Sequence, residues 1–85
     1  MNSPLTAAEI AAKIAKALAK AAANAPTPSL RARLREISAE ANATAKASKR
    51  SAELGACTHA FRLARKVSDL AKEAEREARE AGALP

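Results

Sequence analysis

Apolar residues recur at helical spacing in three blocks of this chain, separated by proline and glycine. In the first block Ile10, Ile14, Leu18 and Ala22 share one face. Ala7, Ala11 and Ala25 lie beside it, and Lys13, Lys16 and Lys20 fall opposite. Thr6 with Glu9 three residues later forms a capping box, and Leu5 and Ile10 can form the accompanying hydrophobic staple. A start at Ser3 with Pro4 in the first helical position is the alternative. The helix is predicted over 6–24, because Pro26 and Pro28 forbid continuation. Thr27 caps a second helix over 28–54, with Pro28 at its first position. Its stripe is Leu30, Leu34, Ile37, Ala41, Ala45, Ser48 and Ala52, and it stops at Gly55.

A third helix is predicted over 58–81, with Thr58 as its cap and Gly82 as its stop. Its apolar arc is wide: Ala60, Leu63, Ala64, Val67, Leu70, Ala71, Ala74 and Ala78. The core directions before and after Gly55 differ by roughly 100° on a helical wheel. That offset argues for a hairpin turn at 55–58 rather than one long helix. Short connections make antiparallel neighbours, so the expected fold is all-α, a single up-down-up antiparallel three-helix bundle.

Folding at Gly55 sets Leu30, Leu34 and Ile37 against Ala74, Ala78 and Ala81. Nearer the turn, Ala41, Thr44, Ala45, Ser48 and Ala52 meet Leu63, Val67 and Leu70. Large opposes small along the hairpin, which is how a dense interior is filled. Phe61 is expected to add bulk beside the small-residue half of the second helix. On this pairing Ala78→Leu overpacks, at about 1–3 kcal/mol. Glu73, Glu77 and Glu80 come level with Arg31, Arg33 and Arg35, and both groups oppose their own helix dipoles. Inter-helix pairing is the expected reason.

Composition sharpens this picture. Of 85 residues, 26 are alanine and only 14 are Leu, Ile, Val, Phe or Met. Alanine favours helix strongly but buries little, so the core is thin. An Ala-rich contact between chains through Ala39, Ala43 and Ala47 is one way to relieve that. One cysteine excludes an internal disulfide, and one Cys with one His cannot complete a tetrahedral zinc site. No cofactor is expected. "MNSPLTAAE" lacks the basic start and apolar run of a leader, and no window is apolar enough to span a membrane. The chain is expected to be soluble, and cytoplasmic on recombinant expression. The formal charge is +6, which admits acidic partners. Nucleic acid is not favoured: there is no Trp or Tyr for stacking, and acids interrupt the third helix from Asp69 onward.

The residues that break the Ala-Lys-Glu pattern gather in "SAELGACTHAF". A nucleophilic Cys57 needs a base in reach, and His59 points elsewhere if both are helical. A small apolar role is the simpler reading. Ser51 and His59 lie across the turn at one height, so a hydrogen bond between them is conceivable. A triad would also need a placed carboxylate, for which Glu53 is the nearest acid, and an oxyanion hole, for which the sequence names no donor. Thr44, Ser48 and Ser51 form an inward hydroxyl row, able to line a pocket or to supply small volume. Lys46, Lys49, Arg50, Arg62, Arg65 and Lys66 gather near the turn against Glu53 alone. With the amides of the third helix's first turn, that pole could hold an anion or small ligand. The ligand-binding set is therefore Thr44, Ser48, Ser51, Thr58, His59 and Arg62, and a solvated basic pole is the simpler alternative.

The repetitive "AAEIAAKIAKALAKAAA" and "LAKEAEREAREAG", with the Thr6–Glu9 box, the Thr27–Pro28 start and the Gly82 stop, resemble computationally designed helical bundles. The resemblance is one of style, covering the first helix and the far ends of the other two. It implies an artificial protein made to test or use a fold, with no natural substrate and no enzymatic role. The middle, "ANATAKASKRSAELGACTHAFRLARK", departs from that style through its inward hydroxyls and its early cations. That departure leaves open a deliberately built site, an interface or an unusual method of sequence generation.

Overall fold

The computed structural model describes residues 3–82. Helix α1 spans Pro4–Ala23, α2 spans Pro28–Glu53 and α3 spans Cys57–Glu80. Each packs against both others in an up-down-up bundle about 41 Å long. At 1.5 Å per residue, α2 alone runs most of that length.

The helix ends are set locally. Helix α1 begins at the earlier of the two possible starts. Ser3 is the N-cap, its hydroxyl accepts from the Thr6 amide at 3.0 Å, and Pro4 opens the helix. The Thr6–Glu9 box does not form: Thr6 is already helical, and its hydroxyl shares a 2.9 Å hydrogen bond with Ser3. Proline's fixed φ suits the first helical position, and the earlier start adds nearly a turn. Thr27 caps α2 as expected, accepting from the Leu30 amide at 3.2 Å. The α1–α2 loop is tied further by Arg31, whose guanidinium donates to the Ala25 carbonyl at 3.2 Å.

Helix α2 ends in a Schellman turn. Gly55 has φ +79°, its amide donates to Ala52 O at 3.1 Å, and the Ala56 amide donates to Ser51 O at 2.8 Å. The chain re-enters helix at once. Ala56 is the N-cap of α3, with no side-chain capping bond. Thr58 is therefore not the cap; it is the second helical residue. The two-bond turn uses fewer residues than a 55–58 loop would, which leaves no room for a capping side chain at 58.

The buried cluster runs through all three helices. It includes Leu30, Leu34, Ile37, Ala41 and Ala45 of α2 with Val67, Leu70 and Ala74 of α3, in line with the predicted stripes. Helix α1 is rotated from its expected setting. Its buried residues are Ala8, Ala11, Ala15 and Ala22, while Ile14 and Leu18 are half-buried and Ile10 is 48% exposed. An alanine face allows α1 to approach its neighbours closely, which turns its larger residues to the flank. Leu5 is also exposed, so the expected staple does not bury its pair. Phe61, 40% exposed, lines a groove between α1 and α3 together with Ile10.

Candidate functional site

The expected polar end and the interior must be taken separately. Ser48 is wholly buried, and its hydroxyl donates to the Ala60 carbonyl of α3 at 2.8 Å. Thr44 is buried one turn earlier, and Ser51 is half-buried one turn later. The bond that crosses near the turn is thus Ser48 to backbone, and no Ser51–His59 hydrogen bond forms. Ser48 does not bond back along its own helix either. It ties α2 to α3 and satisfies a group that would be expensive to bury alone.

Thr58, His59 and Arg62 are exposed, as is the Cys57 thiol. The structure therefore splits the six predicted residues: Thr44, Ser48 and Ser51 on the inward side of α2, and Thr58, His59 and Arg62 on the surface of α3. The cations do gather at this end. Among the described residues, Lys66 pairs with Glu40 at 3.5 Å, and the other five have no ion-pair partner. No group of three or more His, Cys, Asp or Glu among the described residues could hold a metal ion. No described helix is long and apolar enough to cross a membrane.

At the far end the predicted charge pairing forms around one arginine. Arg33 of α2 reaches Glu73 at 3.1 Å and Glu77 at 3.3 Å on α3, and Glu36 at 3.3 Å on its own helix. The hydrogen bond and charge of Glu77 hold the guanidinium pKa above its ordinary value, against a smaller opposing effect of desolvation. Arg31 turns instead to the loop.

A larger concave feature lies on the other side of α3. A cleft of about 440 Å³ opens between α1 and α3 at the end where α1 meets α2. Ala17 and Ala21 of α1 line it together with Ala71 and Ala78 of α3. Leu30, Leu34 and Ala74 also line it, and each is only 5–6% exposed. Asn24 and Glu75 are the polar members of its lining. Ala78 thus borders open volume, so the expected overpacking by a larger residue there does not follow. None of the six predicted ligand-binding residues lines this cleft or the shallower groove of about 210 Å³ that shares Ile14 with it. The cleft had a readable signal. Ala17 and Ala21 lie one turn apart on one flank of α1, and Ala71 and Ala78 two turns apart on the matching flank of α3. At these four positions small opposes small, while Ile14 and Leu18 also line the cleft from α1.

Fold and lining together define a small antiparallel three-helix bundle with an apolar cleft along one seam. No protein-family model, curated protein or solved structure matches the chain.

Proposed function

We propose that the chain is a helical-bundle scaffold of the designed kind, with a structural role and no catalytic one. The observation that supports this is Ser48. The wholly buried hydroxyl of the hydroxyl row is committed to a backbone carbonyl of the neighbouring helix, at 2.8 Å, and is not presented to a cavity. Proline-initiated, hydroxyl-capped starts on α1 and α2 and glycine stops on α2 and α3 fit the same reading. The test is hydrolysis of an activated ester by the full chain and by Cys57→Ala, Ser51→Ala and His59→Ala. Equal rates in all four support the scaffold. A large loss in any one variant would make that residue a catalyst and end the reading.

A second reading takes the basic pole as a working surface for an acidic partner. Five cations there lack a carboxylate partner among the described residues, beside a helix start with no side-chain cap. Titration with inorganic phosphate and a short oligonucleotide, followed by amide chemical shifts, separates the two. Shifts clustered on residues 46–66 support the second reading. No shift at millimolar ligand leaves the pole as a solubilising surface.

A further inference from the structure

We propose that the α1–α3 cleft is a binding site for a compact, neutral, apolar molecule carrying one hydrogen-bonding group, such as an aromatic amine or a ring alcohol. This goes beyond the scaffold reading and does not depend on where the sequence came from.

Size is the first argument. At about 440 Å³ the cleft falls within the range of small-molecule sites, about 300–1,000 Å³. Its shape selects a small occupant over a protein face. Leu30, Leu34 and Ala74 line it yet are only 5–6% exposed, so they form its buried floor. A flat helix face would span the opening without reaching them.

The lining then selects the chemistry. A water needs two to four polar partners to be held, and the walls of alanine, leucine and isoleucine offer none. Water lying along these open walls is poorly held, so an apolar molecule that displaces it gains affinity. Charge selects a neutral ligand. Glu75 is engaged by Arg79 at 2.8 Å, so that side of the rim is a compensated pair, favouring neither anion nor cation. Asn24 supplies the remaining polar contact. It is the C-cap of α1, its backbone N–H donates hydrogen bonds to Lys20 O and Ala21 O at 3.2 Å, and its carboxamide has no partner among the described residues. A carboxamide both donates and accepts, which suits a single hydroxyl or amine.

The test is a fluorescence titration of the full chain with N-phenyl-1-naphthylamine, a neutral dye with one N–H that brightens in apolar surroundings. Saturable enhancement at micromolar dye is expected. Filling the cleft with Ala21→Leu plus Ala78→Leu should weaken binding at least tenfold. Ala43→Leu, on the exposed side of α2, should leave it unchanged, and Asn24→Ala should weaken it a few-fold. Helicity by circular dichroism checks that each variant is folded. Amide chemical shifts of the unmodified chain give a readout that needs no variant: dye-induced changes should centre on Ala17, Ala21, Ala71 and Ala78. Absent enhancement, equal binding by the filled variant, or shifts centred on the basic pole would each overturn the proposal. So would a dimer in sedimentation equilibrium that the dye dissociates and the filled variant cannot form, because the occupant would then be a second copy of this chain.

Discussion

Helix α3 has two seams, and they are built on opposite rules. Toward α2, Ser48 bonds to the Ala60 carbonyl, Arg33 clamps Glu73 and Glu77, and Ile37, Val67 and Leu70 are buried. Toward α1, Ala17 and Ala21 stand across from Ala71 and Ala78, beside the half-buried Ile14 and Leu18, and a cleft remains. Ile10 and Phe61 sit at the edge of that seam, each nearly half exposed. The same residue type closes one interface and opens the other. What decides is the size of the residue it faces, because alanine supplies helix propensity without the volume that packing needs.

The sharpest test of this contrast compares two isoleucines. Ile37→Ala, in the closed seam, should cost about 2–5 kcal/mol in urea unfolding. Ile10→Ala, half out of the open one, should cost under about 1 kcal/mol. Equal losses would erase the distinction between the seams. Next comes Ser48. Valine there removes the bond to Ala60 O and adds bulk in a filled place, at about 1–3 kcal/mol. Alanine loses only the hydrogen bond, at about 1 kcal/mol. If valine proves the milder change, the site is not tightly packed. On the open side, Ala78→Leu should melt at or above the parent, with a gain of about 0.5–2 kcal/mol from filling space. A loss instead would mean that the cleft is not open to that side chain.

The smallest effect is expected at Arg33. Its guanidinium pKa is raised in the folded state, so its contribution is complete below the ordinary arginine pKa and is lost only as pH rises through the raised value. That window lies beyond ordinary titrations, and salt is the better probe. Arg33→Met should lower the melting temperature slightly at low ionic strength, and the difference should vanish near 1 M salt. A salt-independent difference would point to packing of the arginine stem.

Helix number, order and direction were readable because proline and glycine mark the boundaries and the α2 stripe keeps a clean period. The caps of α2 followed for the same reason. Two local features were misread. Ser3 and Thr6 both carry capping hydroxyls, and choosing between them required knowing that nothing opposes the earlier start. Thr58 lost its capping role because a Schellman turn is shorter than the loop assumed for it. The setting of α1 was misread on larger grounds. Ile10, Ile14 and Leu18 define the strongest apolar face by transfer energy. The bundle instead buries Ala8, Ala11 and Ala15, where backbones can come close. Hydrophobicity ranks residues one at a time, whereas the fit of two helices depends on both surfaces. The hydroxyl row was correctly placed on the inner side of α2, but Ser48's partner is a backbone carbonyl, a group that no side-chain pattern reveals.

The Gly55 turn has a consequence in stereochemistry. A Cβ built on this glycine would meet nothing within 4 Å, yet its φ of +79° is one that L residues rarely adopt. The position is therefore demanding in handedness and indifferent to volume. A D-alanine, for which that backbone angle is natural, would remove the strain an L residue meets there while restricting the unfolded chain. The α2–α3 hairpin thus rests on a left-handed backbone at one achiral residue, and chemical synthesis could place a D residue there to match it.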